Sequence, residues 1–102
     1  MSYTFREFSE WVEKVCNSTL YVPKGIDRLV FEIPSPQDWL VVRVDPGFSV
    51  DTERVDTQAK ISLVNKQTSD EILVGYVEDE TNWKSEFRSE IETALRDWRA
   101  FV

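Results

Sequence analysis

The hydrophobic period of this chain changes twice, helical at each end and alternating in between, and that order leaves few architectures open. The C-terminal stretch is the clearest. Trp83, Phe87, Ile91, Ala94, Leu95, Trp98 and Val102 fall at i, i+4, i+8, i+11, i+12, i+15 and i+19, one stripe of an α-helix. Thr81 or Asn82 is placed to cap it. Glu78, Asp79 and Glu80 put negative charge at its start, and Arg96 and Arg99 put positive charge near its end, as the helix dipole favours. Glu92 and Arg96 add a well-oriented i,i+4 pair.

The N-terminal stretch reads the same way. Thr4 and Glu7 have the spacing of a capping box. Phe5, Phe8, Val12, Val15 and Cys16 form the apolar stripe, with Trp11 at its border. Glu7, Glu10, Glu13 and Lys14 occupy the opposite side, and Asn17-Ser18 closes the pattern.

The middle carries strand signals. Leu20–Val22 is short and breaks at Pro23-Lys24-Gly25. Arg28–Ile33 is bounded by Pro34-Ser35-Pro36, and Trp39–Val44 stops at Asp45-Pro46-Gly47. Ala59–Val64 follows, then a polar connection from Asn65 to Glu71, then Ile72–Val77. Phe48 and Val50 can begin a brief strand, while Asp51, Glu53, Arg54 and Asp56 read as an exposed loop or edge. Short connections and β-branched residues favour an antiparallel meander. The expected fold is α+β: an open antiparallel sheet of four to six strands, with the N-terminal and C-terminal helices packed on one face. At 102 residues the chain makes one domain, residues 1–102, large enough for a core without staples.

A sheet covered on one face should turn polar on the other, and this one does so only in part. Leu29, Phe31 and Ile33 oppose Arg28, Val30 and Glu32. Leu40, Val42 and Val44 oppose Trp39, Val41 and Arg43. In the last strand Ile72, Val74 and Tyr76 oppose Leu73, Gly75 and Val77, so both faces are apolar. Left open, a second face with Val30, Trp39, Val41 and one set from 72–77 makes a patch large enough to bind a partner; folded under the 46–58 segment, it is core. Trp39 and Tyr76 are the natural anchors of such a surface.

The chain contains no histidine and one cysteine. That removes Ser-His-Asp and Cys-His catalysis and most zinc and non-haem iron sites. Cys16 lies on an apolar stripe and reads as a small hydrophobe. The acids Asp45, Asp51, Glu53 and Asp56 lack EF-hand spacing, and Gly25, Gly47 and Gly75 are too isolated for a phosphate cradle. No metal and no cofactor is expected. The net charge of −7 opposes direct nucleic-acid binding. No apolar run is long enough for a membrane, no basic-then-apolar leader opens the chain, and a cytoplasmic location is expected.

Asn65-Lys66-Gln67-Thr68 is similar to a short stretch of some frataxin-like proteins. Their pattern continues with further strands and a tryptophan, whereas this chain runs through one strand into its last helix, so the likeness is not carried further. In size, acidity and lack of catalytic residues the chain resembles, as a class, bacterial toxin-immunity proteins and secretion chaperones.

Two functional readings follow. The first is a small non-enzymatic protein-binding or accessory module. It presents an apolar sheet face (Trp39, Val41, Arg43, Tyr76) and an acidic helix face (Glu7, Glu10, Glu13) to a protein partner or to a second copy of itself, as a homodimer. The alternative is a carboxylate-dependent small-molecule-binding domain or enzyme, in which Glu32, Asp45 and Arg43, or the acids of the 45–56 loop, converge in a pocket.

Overall fold

A computed structural model describes residues 3–16, 19–21, 29–48, 58–78 and 81–102. The element order is α1 (Phe5–Val15), β1 (Thr19–Tyr21), β2 (Val30–Pro34), β3 (Leu40–Asp45), β4 (Ala59–Asn65), β5 (Glu71–Val77), α2 (Trp83–Asp97) and a closing 3-10 turn (Trp98–Ala100). The strands pair antiparallel in sequence order, β1-β2-β3-β4-β5. The chain is therefore an α+β meander with a helix at each end. The expected features at Asn17-Ser18, 22–28, 49–57 and 79–80 lie outside the described residues.

The N-terminal capping signal is realised. The Glu7 amide donates to Thr4 Oγ1 at 3.1 Å, and the Thr4 hydroxyl donates to Glu7 Oε1 at 3.3 Å. Tyr3, just before the cap, packs its ring 5.9 Å from Phe8. These are the positions of a hydrophobic staple, which fixes the angle at which the chain enters α1. The Tyr3 hydroxyl donates to the Pro46 carbonyl at 3.1 Å, so the same residue ties the N-terminus to the end of β3.

Cross-strand partners share a face. Phe31 lies opposite Val44 and Ile33 opposite Val42; Val42 and Val44 in turn lie opposite Leu63 and Ile61. These residues join Phe8 and Val12 of α1 and Trp83, Phe87, Ile91 and Ala94 of α2 in one buried cluster. Both helices thus cover the same sheet face. Between them lies an aromatic seam, with Phe8 4.8 Å from Phe87, Trp11 5.5 Å from Trp83 and Tyr3 4.6 Å from Trp83, ring centroid to ring centroid.

The last helix departs from the expected stripe at both ends. Asn82 holds the N-cap position without a side-chain capping bond, and α2 tightens into the 3-10 turn at Trp98. Val102, expected on the buried stripe, is half exposed as a result.

Candidate functional site

The second sheet face, away from the helices, is built from Val30 and Glu32 of β2, Val41, Arg43 and Asp45 of β3, Lys60, Ser62 and Val64 of β4, and part of β5. Over β2–β4 it is not an open apolar patch. Val30 is 2% exposed, and Val41 and Val64 are each 7% exposed. Arg43 stands opposite Glu32 and donates to its Oε2 at 3.4 Å. It also reaches across β4, where buried Ser62 is its neighbour, to Glu71 on β5 at 3.5 Å. One guanidinium therefore joins two carboxylates on strands either side of its own. Asp45 takes no part in that group; its carboxylate accepts the Gly47 amide at 2.8 Å, closing the turn where Gly47 adopts φ 87°. Of the three groups expected to converge, Glu32 and Arg43 meet and Asp45 serves the turn. The acids at 51, 53 and 56 lie outside the described residues.

Trp39 leaves the face on which strict alternation would place it. It precedes β3, and its carbonyl accepts the Lys66 amide at 2.7 Å. Its ring sits half-buried against the core, 5.5 Å from Trp98 and at 84° to it.

The face changes character at β5. The register slips between Ile61 and Ser62: Ile61 pairs with Gly75, but Ser62 pairs with Leu73, so Val74 is the extra residue of a β-bulge. Simple alternation puts Leu73 and Tyr76 on opposite faces. The bulge brings both onto the second face, opposite Ser62 and Lys60. They are 45% and 48% exposed, two of the most exposed large hydrophobic residues described. Among the described residues β5 pairs with β4 alone, so its outer edge is unpaired.

Depressions lie elsewhere on the described surface. Val15, Cys16, Ile33, Pro34, Arg88, Ile91, Glu92 and Leu95 line a cleft of about 310 Å³ between the end of α1, the end of β2 and α2. Burial pushes the Cys16 thiol above its ordinary 9.0, against the pull of Arg88 and with a smaller push from Glu92. Because the folded state holds this proton more tightly, the stability it confers is complete below pH 9 and falls as the thiol ionises above it. Native protein should lose stability on alkaline titration past that point, and Cys16→Ala should flatten the slope; urea denaturation across pH 8 to about 10.5 measures both. Equal slopes would place the thiol in water.

The acidic side of α1 is exposed at Glu7, Glu10 and Glu13. Glu7, Glu10, Trp11, Lys14 and Lys84 line a shallow depression of about 230 Å³. Arg6 pairs with Glu10 at 3.2 Å and the Ser9 hydroxyl donates to Glu13 at 3.4 Å, so this face is mixed rather than uniformly acidic. Among the described residues no three Cys, Asp or Glu side chains gather closely enough to hold a metal ion, and no helix is long and apolar enough to cross a membrane. Comparison with protein-family models, curated proteins and solved structures found no match.

Proposed function

We propose that this chain is a small non-enzymatic protein-binding module whose contact surface is the β5 margin of the second sheet face. The observation that carries this reading is the bulge at Val74, which gathers Leu73 and Tyr76 on one exposed stretch while Val30, Val41 and Val64 of the same face are buried. An aromatic and an aliphatic side chain side by side on an edge strand form a compact anchor for a partner. Arg43 supports this margin through its bond to Glu71, and Val41, buried two strands away on the same face, lies outside the first contact. Glu7, Glu10 and Glu13, exposed on α1, steer a basic partner and raise its association rate more than its final affinity. An immunity-protein or chaperone-like role is the more specific version and rests on class analogy.

The test is a comparative capture. Native chain, Tyr76→Ala and a Glu7→Gln/Glu10→Gln/Glu13→Gln variant are immobilised in parallel, and the retained proteins are identified by mass spectrometry. A partner held by native chain should be lost with Tyr76→Ala. It should bind the triple variant with a several-fold slower association rate and weaker salt dependence. A partner retained equally by all three would contradict this reading.

A further inference from the structure

Resting on that reading, we infer that β5 accepts an extended, basic segment of the partner as a sixth strand. An edge strand offers alternate backbone N–H and C=O groups for pairing, and proteins commonly blunt such edges with Lys, Pro or covering elements. The β5 sequence Glu71-Ile72-Leu73-Val74-Gly75-Tyr76-Val77 contains neither lysine nor proline. The bulge protects this edge in part, because it limits continuous pairing to short runs on either side of Val74.

The charge around the edge selects the occupant. The α2 flank that leans over β5 is identified by two contacts. Glu86 Oε2 accepts the Glu78 amide at 3.1 Å, and Glu90 lies so close over Gly75 that a Cβ there would fall 2.6 Å from its Oε2. The opposite flank, toward α1, carries Lys84 and Arg88. Helix α2 therefore places Glu86 and Glu90 beside β5, whereas its flank beside α1 is mixed, Lys84 and Arg88 with Glu92 paired to Arg88 at 3.3 Å. Asp70, Glu71 and Glu78 mark the two ends of the strand. Among the described residues the cations on this face are Lys60, opposite Tyr76, and Arg43, which Glu32 and Glu71 share.

A second copy of the chain does not fit this edge. Antiparallel pairing of β5 with itself about Val74 brings Asp70 and Glu71 of one copy alongside Val77 and Glu78 of the other, between chains that each carry −7. A strand with β-branched residues at its centre and Lys or Arg at its ends meets the same edge with complementary charge, the arrangement of strand addition.

The experiment selects ten-residue peptides from a random phage-displayed library on immobilised full chain and measures the consensus peptide by fluorescence anisotropy. Enriched peptides should carry Lys or Arg around an apolar, β-branched centre. Methylating alternate backbone nitrogens of the consensus should weaken binding at least tenfold, because it removes strand hydrogen bonds and leaves charge in place. Replacing its basic residues with glutamate should do the same. Leu73→Lys in the chain should abolish binding while leaving the melting temperature within a few degrees of native. Acidic peptides, peptides with a helical apolar stripe, no enrichment, indifference to N-methylation, or a chain that dimerises through β5 on ultracentrifugation would each overturn the proposal. A captured protein partner that still binds Leu73→Lys but is lost with Tyr76→Ala would overturn strand addition and leave the protein-binding reading standing. A partner indifferent to both would end both.

Discussion

Phe8→Ala should cost about 3–5 kcal/mol of folding stability, the range for emptying a fully buried aromatic site. Phe8 is wholly buried where α1, α2 and β2 meet. Its ring centroid lies 5.9 Å from Tyr3, 5.9 Å from Trp11, 5.4 Å from Phe31, 5.9 Å from Trp83 and 4.8 Å from Phe87. Those neighbours also contact one another, Trp11 with Trp83 and Tyr3 with Phe87 among them, so they cannot slide together to fill the gap. A cavity that does not collapse takes the upper part of the range. Domains of this size are stable by only about 5–15 kcal/mol. The melting temperature should fall by at least about 12 °C, at about 4 °C or more per kcal/mol. Val15→Ala, on the same helix at a 42% exposed position, should change it little. A Phe8→Ala loss below about 1 kcal/mol would mean that α1 does not pack on the sheet as described.

Arg43→Ala should be the second most damaging change, at about 2 kcal/mol. The side chains of Arg43, Glu32 and Glu71 are 16%, 23% and 33% exposed, between a surface pair worth up to about 1 kcal/mol and a buried pair whose disruption costs about 3–5 kcal/mol. Removing the shared cation leaves two carboxylates on a mostly buried face with no counter-charge from it. Arg43→Met combined with Glu32→Gln and Glu71→Gln should recover most of the loss, because no uncompensated charge remains. Urea denaturation of the three proteins decides it. A triple variant less stable than Arg43→Ala would show that the ionic group itself, and not the exposed charges left behind, holds the face together.

Much of the fold was legible because its signals are local. The Thr4–Glu7 spacing, the α2 stripe from Trp83 to Ala94 and the alternation through Phe31–Ile33, Leu40–Val44 and Ile61–Leu63 all depend on a few neighbouring residues. Tyr3 carries a local signal too, an aromatic just before a cap and paired with the fourth helical position. Trp39 departs from the alternation because it lies before β3 in the turn that the Leu40 amide closes on the Gln37 carbonyl at 3.2 Å, where the chain is not yet pleated. The candidate site was the least legible part. Gly75 inside the strand hints at a bulge, but a bulge is a property of a strand pair, and the glycine alone does not say that Leu73 and Tyr76 share a face. The bridge from Arg43 to Glu71 likewise needs the register of β3, β4 and β5 before it can be drawn. Glu7, Glu10 and Glu13 lie on an exposed helix side, which the helical period makes legible, yet Arg6, Lys14 and Lys84 beside them temper its charge.

The claim that the β5 edge is the contact surface is tested most directly by backbone amide hydrogen exchange, on the chain alone and saturated with a captured partner. Among the described residues no strand pairs with the outward-pointing amides of Glu71–Val77, so in the free chain they should exchange quickly, while those facing β4 exchange slowly. The account predicts that partner binding slows the outward amides of β5 by at least tenfold and leaves those of α1 unchanged. Slowing confined to α1 around Glu7–Glu13, or to the cleft at Cys16 and Arg88, with β5 untouched, would contradict it.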